Sequence, residues 1–227
     1  MEHSLKVKGL LLDMDGLLLD SERIAEASWR QAEKESGYFM PEGFYHTVIG
    51  QSMRIIKDRL KEVMDPACDT DIFLEIANRS YHQAIAEGPV PVKKGARELL
   101  QLLSREKIPT CLATSTFREL AGRKLEAVDL AKHLPLRVCG DDVENSKPQP
   151  DIYLAAAARL SFSPGSLLAV EDSENGILSA LTAGCQVAHV PDICRISIDV
   201  QQRVHRIFRD LEELTDAIRR GELVIET

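Results

Sequence analysis

Short apolar runs alternate along the chain with amphipathic stretches. The clearest run, Val7 to Leu12, is followed at once by Asp13-Met-Asp-Gly, which predicts a buried strand with carboxylates at its C-terminal edge. Similar runs predict further strands at 108–113, 167–170 and 186–190, with a weaker candidate at 136–139.

Helical patterns lie between these runs. Apolar residues recur at helical spacing over 96–103, after Gly95, and over 177–181, before Gly184. This alternation predicts an α/β fold, a doubly wound parallel sheet with right-handed crossovers and helices on both faces. Ligands bind outside the carboxyl ends of the strands in such sheets, so the residues directly after each strand are the candidates for a functional site.

The segment 21–89 interrupts the alternation. It contains three amphipathic helical patterns, at 25–32, 55–64 and 72–85, and no convincing strand. Prolines at 89 and 91 mark the return to the alternating pattern. We therefore predict a core formed by 1–20 and 90–227 and a helical insert at 21–89, whose two linkers let it hinge as a lid.

Composition and charge narrow the possible partners. The 227 residues carry a formal net charge of −8, which predicts no broad attraction to nucleic acid or to an anionic membrane. An anionic substrate therefore needs a local cation. The N-terminus lacks the apolar segment of a signal peptide, and the five cysteines form no C-x-x-C pair. These features predict a cytoplasmic protein with reduced thiols, which we expect to be a monomer.

Two carboxylates follow the first predicted strand. Asp13 and Asp15 are two positions apart, so continued strand geometry sends both side chains to the same side. One carboxylate is suited to nucleophilic attack on a phosphate ester, and the other is suited to protonating the departing alkoxide. Paired aspartates also occur in ordinary turns, so this motif alone does not decide the function.

Hydroxyl groups follow the strand predicted at 108–113. The Thr114 hydroxyl and the free amides after it are suited to holding a phosphate oxygen at the start of a helix. The alternative is a simple helix cap, because Thr116 and Glu119 fit a capping box.

A lysine and two more acidic residues complete the pattern. Lys147 lies in a proline-rigidified stretch before a helical run, and a fixed ammonium group suits a phosphate. Glu171 and Asp172 end the strand predicted at 167–170, although Asp172 would also suit a structural cap. Four acidic groups at one sheet edge repel one another unless a cation neutralises them. Hard oxygen ligands favour Mg²⁺ with retained waters.

These four elements, each after a predicted strand, resemble the haloacid dehalogenase superfamily of phosphohydrolases over essentially the whole chain. The matching motifs are Asp13-Met-Asp-Gly, Thr114, Lys147-Pro-Gln-Pro and Glu171-Asp172-Ser. The resemblance implies a Rossmann-like core with an inserted helical cap. It also implies that a small phosphorylated metabolite is the substrate and that Mg²⁺ is the cofactor.

The resemblance further implies a role for each motif residue. Asp13 would be phosphorylated, and Asp15 would act as general acid and then as general base. Asp13 and Asp172 would bind Mg²⁺ through their side chains and Asp15 through its backbone carbonyl, with Glu171 acting through water. The residues implied to bind the phosphate are Thr114, the Ser115 amide and Lys147.

The amino-acid sequence in and around the motifs is similar to that of a subfamily that contains sugar-phosphate phosphatases, phosphoglycolate phosphatase and beta-phosphoglucomutase. Mutases of this group carry a histidine twelve residues beyond the nucleophile, where this chain has Ala25. They also carry a cap arginine and a cap lysine at places held here by Met53 and Ala77, and Arg54 fills the arginine position only after a one-residue shift. These differences favour a hydrolase. The alternatives are a phosphomutase and a non-catalytic phosphate-binding protein.

One stretch of the predicted cap is a candidate for substrate selection. Residues 49–54, which include Gln51, Met53 and Arg54, are expected to face the site, although a simple helix start near Ser52 explains the same sequence.

Overall fold

The structure is a computed structural model that describes residues 5–51 and 53–226. Its strands are β1 (Leu5–Val7), β2 (Gly9–Leu12), β3 (Thr110–Ala113), β4 (Arg137–Val138), β5 (Leu167–Glu171), β6 (Gln186–His189), β7 (Arg206–Ile207) and β8 (Leu223–Ile225). Its helices are α1 (Glu22–Ser36), α2 (Met53–Val63), α3 (Thr70–Glu87), α4 (Ala96–Arg105), α5 (Arg118–Ala127), α6 (Asp151–Leu160), α7 (Glu174–Thr182), α8 (Ile198–Gln201) and α9 (Leu211–Arg219). None of these helices is long and apolar enough to cross a membrane.

A six-stranded parallel sheet forms the centre of the fold, in the order β4-β3-β2-β5-β6-β7. From β2 the chain adds β3 and β4 on one side, and it then adds β5, β6 and β7 on the other side. The carboxyl ends of β2, β3 and β5 therefore lie at the switch point where ligands bind in such sheets. The predicted fold class, an α/β doubly wound parallel sheet, is confirmed.

Both faces of the sheet are buried, which explains the continuous apolar runs. In β2, Leu10 and Leu12 pack into one hydrophobic cluster and Leu11 packs into the other. The alternation follows from the two-residue period of a strand. Leu168 and Val170 of β5 pack in the first cluster with Leu10 and Leu12. The central strands therefore hold the site residues at their ends on a rigid support.

Two features of the sheet differ from the sequence prediction. The run at 7–12 is divided, because β1 pairs with the C-terminal strand β8 in a separate two-stranded sheet while β2 enters the main sheet. Lys8 lies between the two strands, and its amide donates to the carbonyl of Ser166 at 2.7 Å. The elements β7, β8, α8 and α9 have no counterpart in the prediction, since the charged residues after position 190 hide their short apolar patterns.

Three helices, α1, α2 and α3, lie in the segment 21–89, and its described residues contain no strand. They share a hydrophobic cluster around Trp29, Tyr45 and Phe73, with edge-to-face aromatic contacts, and Cys194 from outside the segment joins it.

The two ends of the segment lie side by side. The amide of Asp20 donates to the carbonyl of Pro91 at 2.8 Å, and the amide of Lys93 donates to that of Leu18 at 3.0 Å. The domain boundaries at 20 and 90 stay predictions.

Candidate active site

Three buried carboxylates meet at the carboxyl ends of two neighbouring strands. Asp13 follows β2, Glu171 ends β5, and Asp172 comes next in the chain. One ligand oxygen from each lies within 4.8 Å of the other two, and all three residues are buried. The parallel pairing of β2 with β5 places Leu12 opposite Val170, which brings the residues that follow these two positions together.

Lys147 neutralises part of this negative charge. Its ammonium nitrogen lies 2.6 Å from Asp13 Oδ1 and 2.6 Å from Glu171 Oε1, and it donates to the carbonyl of Ala113 at 3.0 Å. The three ammonium protons therefore have three acceptors, and the side chain is buried. The Tyr153 hydroxyl donates a second hydrogen bond to Glu171 Oε1.

The cluster still carries more negative than positive charge. Burial raises the pKa of Asp13 to about 8, with Lys147 opposing the shift and the carboxylates of Glu171 and Asp15 adding to it. Burial and then the charge of Asp13 raise the pKa of Asp172 well above its ordinary value. Asp172 Oδ2 is buried and has no hydrogen-bond partner among the described residues. An orphaned, buried carboxylate oxygen is costly unless a cation binds it.

Two glycines leave room for these carboxylates. Gly16 has a φ of +84°, and a Cβ there would lie 2.1 Å from Asp172 Oδ2. A Cβ at Gly176 would lie 2.0 Å from the carboxyl carbon of Glu171. Close approach of backbone to carboxylate therefore explains the glycines in both motifs.

Asp15 has a different environment from Asp13. Its Oδ1 accepts hydrogen bonds from the Ser21 hydroxyl at 2.5 Å and from the Lys124 ammonium group at 2.7 Å, and its Oδ2 accepts from the Thr116 hydroxyl at 2.6 Å. Burial disfavours ionisation of Asp15, but the charge of Lys124 and these hydrogen bonds together lower its pKa below the ordinary value. The two aspartates of the first motif thus have pKa values shifted in opposite directions.

The hydroxyl motif lies beside Asp15. The Thr114 hydroxyl is fully buried and accepts the amide of Thr116 at 3.1 Å. The Ser115 hydroxyl is buried without a hydrogen-bond partner in the described chain. The alternative of a capping box formed by Thr116 and Glu119 is wrong: Phe117 is at the N-cap of α5, the Asp141 side chain accepts the amide of Arg118 at 2.8 Å, and the Thr116 hydroxyl donates to Asp15 instead.

A cavity of about 310 Å³ opens onto these residues. Its floor includes Asp13, Asp15, Thr114, Ser115 and Lys147. Its other wall comes from α1 to α3 and the loop before α2, and includes Glu22, Trp29, Tyr45, Asn78, Tyr81 and His82. Such a volume suits a small metabolite.

The stretch 49–54 faces the cavity only in part. Ile49, Gly50 and Met53 line it. The Gln51 side chain instead donates to the carbonyl of Thr47 at 3.3 Å and accepts from Arg59 at 3.3 Å. Ser52 and the side chain of Arg54 lie outside the described residues.

Sequence reasoning missed several residues around Asp15, above all Lys124 and Ser21. A signal for Lys124 exists in the sequence: it lies three residues after Ala121 and four before Val128, on the apolar face of α5. A lysine on an apolar helix face needs a buried partner. No comparable signal marks Ser21, whose contact with Asp15 depends on the path of the chain between β2 and α1.

Glu22 is a second titratable group in the cavity wall. The Tyr45 hydroxyl donates to its Oε2 at 2.8 Å, and burial, followed by the charge of Asp15, raises its pKa to about 7. A carboxyl with a raised pKa in the folded state stabilises the fold most below its ordinary pKa near 4.5, and that contribution is lost as the pH rises through 7.

We therefore expect wild-type protein to lose stability relative to Glu22→Gln between pH 4.5 and 7, by on the order of 3 kcal/mol. Urea unfolding at several pH values measures this difference. Glu75→Gln, which changes an exposed glutamate of α3, is the matched control. A pH-independent difference between wild type and Glu22→Gln would show that Glu22 ionises normally.

Known proteins resemble this chain in sequence and in fold. A family model described as haloacid dehalogenase-like hydrolase matches residues 7–184. A phosphorylated carbohydrates phosphatase from Thermotoga maritima is 30% identical over 184 residues, covering 79% of this chain and 83% of that protein. A phosphoglycolate phosphatase from Shigella boydii is 30% identical over 199 residues, covering 79% of each chain.

Among solved structures, beta-phosphoglucomutase from Clostridium difficile has the same fold. It superposes with a TM-score of 0.77 at 18% identity, covering 95% of this chain and 97% of that one. The chain belongs to the haloacid dehalogenase-like hydrolase family, which confirms the predicted family and the predicted class of enzyme.

Proposed function

We propose that this chain is a Mg²⁺-dependent phosphatase that hydrolyses a small phosphate monoester through a phosphorylated Asp13. The observation that carries the proposal is the meeting of Asp13, Glu171 and Asp172 with the Lys147 ammonium group, because Asp13 and Lys147 in turn line the floor of one cavity. A phosphate held there would contact a nucleophile, a cation and hydroxyl groups at once.

The carboxylate cluster fits a hard divalent cation. Lys147 contacts Asp13 and Glu171, while Asp172 Oδ2 has no hydrogen-bond partner in the described chain. Oxygen donors without nitrogen or sulfur favour Mg²⁺. In the proposed site the side chains of Asp13 and Asp172 and the backbone carbonyl of Asp15 would hold the ion, with Glu171 acting through water. The ion would neutralise charge that develops on the phosphoryl oxygens.

In the proposed first step, a carboxylate oxygen of Asp13 attacks the phosphorus atom and the bond from phosphorus to the leaving oxygen breaks. Asp15, which its lowered pKa keeps ionised in the free protein, takes up a proton when substrate binds and gives it to that oxygen, so that an alcohol departs and an acyl phosphate remains on Asp13. In the second step, Asp15 removes a proton from water, which attacks the phosphorus and releases inorganic phosphate. Lys147, Thr114 and the Ser115 amide would hold the phosphoryl group in line.

The relatives support a sugar phosphate or a similar metabolite as the substrate, because one of them is named for phosphorylated carbohydrates and another for phosphoglycolate. Side chains that can hydrogen-bond to hydroxyl groups, such as Asn78 and Tyr81, line the wall of the cavity opposite Asp13. A mutase must return the phosphoryl group to its sugar, and Ala25, which lines the cavity, has no group that could transfer a proton. We therefore propose a hydrolase.

We further propose that segment 21–89 is a cap that closes the cavity. Its loop contacts the core beside the site, where Asn175 donates to the carbonyl of Ile49 at 3.0 Å. Paired linkers at Asp20 and Pro91 would let it move as a unit. A monomeric state and a cytoplasmic location, which suits the five free cysteines, stay part of the proposal.

A phosphate-release screen tests the proposed function. Sugar phosphates, phosphoglycolate, nucleotides and glycerol phosphates are incubated with the protein, with Mg²⁺ and with excess EDTA. We expect free phosphate from at least one sugar phosphate, only when Mg²⁺ is present. Isomerised sugar phosphate without free phosphate would support a mutase, and no turnover of any compound would support a binding protein.

A further inference from the structure

Lys124 is a buried cation that the proposed steps leave without a role. It lies on α5, its side chain is 4% exposed, and its ammonium nitrogen is 2.7 Å from Asp15 Oδ1. The ring of Tyr81, from α3, covers it, with 5.2 Å between the nitrogen and the ring centroid. Burying a charged pair requires desolvation of both groups, so such a pair is weak evidence for a purely stabilising role.

The contacts of Asp15 show what the lysine does to its carboxylate. A carboxylate oxygen has about two lone-pair sites. Ser21 and Lys124 occupy both sites of Oδ1. Oδ2 accepts one hydrogen bond, from Thr116, and keeps one site free among the described residues. The donors therefore leave Oδ2 as the oxygen that can exchange a proton with a substrate.

The donors to the Asp15 carboxylate come from different parts of the chain and contact it from two sides of the cavity. Ser21 lies at the start of the segment 21–89, directly before α1, whereas Thr116 and Lys124 lie on the core side of the cavity. The terminal torsion of a carboxylate is soft, and hydroxyl donors such as Ser21 and Thr116 can themselves rotate. Lys124 adds a third donor that burial fixes in place, and it therefore restrains this torsion beside the two hydroxyls.

We propose that Lys124 is a positioning residue that aims Oδ2 of Asp15 at the leaving-group oxygen of the substrate. The proposal rests on the proposed phosphatase function, in which Asp15 protonates that oxygen. The proposal predicts that loss of Lys124 affects substrates differently according to their leaving group. An alkoxide needs a proton in order to leave, whereas p-nitrophenolate is stable without one, so misplacing Asp15 should slow the first step for a sugar phosphate far more than for p-nitrophenyl phosphate.

The test compares Lys124→Met with wild type on two substrates, p-nitrophenyl phosphate and the sugar phosphate that wild type hydrolyses fastest in the screen above. The measured quantity is kcat/KM, which reports the steps up to departure of the alcohol and not the later hydrolysis of the acyl phosphate. We expect kcat/KM for the sugar phosphate to fall on the order of 10²-fold. For p-nitrophenyl phosphate we expect a change of less than about threefold, and KM for both substrates should move little.

Two further variants make the result decisive. Arg123→Met removes an exposed positive charge from the neighbouring position of the same helix and should leave both values unchanged. Ser21→Ala removes the other donor to Oδ1 and should show the same selective loss, even if Lys124→Met fails to fold.

Equal losses on the two substrates, or no loss in either variant, would overturn the positioning role while the phosphatase function stood. If wild type releases phosphate from neither substrate, the proposed function fails and the role of Lys124 falls with it.

Discussion

Asp13→Asn is expected to remove phosphatase activity, with a fall in kcat on the order of 10⁴-fold, because an amide oxygen cannot replace the carboxylate nucleophile. The fold should survive. Burial and the neighbouring carboxylates raise the pKa of Asp13 to about 8, so its ionised form costs stability at higher pH. The amide removes that cost, and Lys147 keeps its contact with Glu171.

Steady-state phosphate release and thermal unfolding of the same samples check this prediction. Asp58→Asn makes the same chemical change at an exposed position of α2 and should behave like wild type. Turnover by Asp13→Asn at a rate near that of wild type would exclude Asp13 as the nucleophile.

Asp172→Asn is expected to weaken Mg²⁺ binding, and with it the effect of Mg²⁺ on stability and activity. The wild-type site should bind the ion through Asp13 and Asp172, so saturating Mg²⁺ should stabilise the fold, by about 2.7 kcal/mol at a concentration one hundred times the dissociation constant. The variant should lose most of this stabilisation and, at the same Mg²⁺ concentration, lose activity on the order of 10²-fold.

Without Mg²⁺ the effect of this substitution should reverse. The pKa of Asp172 is raised well above its ordinary value by burial and by Asp13, so the ionised group opposes folding as the pH rises. Metal-free Asp172→Asn should therefore be more stable than metal-free wild type, and more so at pH 8 than at pH 5. Unfolding midpoints measured in excess Mg²⁺ test the loss of stabilisation by the ion, and midpoints measured in EDTA test the higher stability of the metal-free variant. Equal stabilisation of the two proteins by Mg²⁺ would show that Asp172 does not bind it.

The sequence allowed the central sheet to be predicted because β2 and the first four residues of β5 are buried on both faces and read as continuous apolar runs. The order of the strands in the sheet was not predicted and comes from the structure. The C-terminal elements could not be predicted in the same way. Strand β7 has two residues and β8 has three, and their pairing with β6 and β1 depends on distant parts of the chain.

Sequence reasoning could place Asp13, Thr114 and Asp172 at one edge of the sheet, because each directly follows a strand. The environment of Asp15 could not be predicted in this way. Lys124 is 109 residues from Asp15 in the chain, and it enters the site because α5 packs through Ala121 and Leu125 into the hydrophobic cluster that contains Leu12. The local pattern also allowed Thr116 to cap that helix, but its hydroxyl contacts a carboxylate 101 residues away. Tertiary contacts thus override the local pattern at this position.

The most direct test of the account is to trap the phosphorylated enzyme. Asp15→Asn should still accept a phosphoryl group from p-nitrophenyl phosphate, whose leaving group needs no proton, but it lacks the base that activates water for the second step. Intact-mass spectrometry after acid quenching should then show the added mass of one phosphoryl group, which peptide mapping assigns to Asp13. Rapid phosphate release with no covalent species, or a phosphoryl group on another residue, would contradict the account.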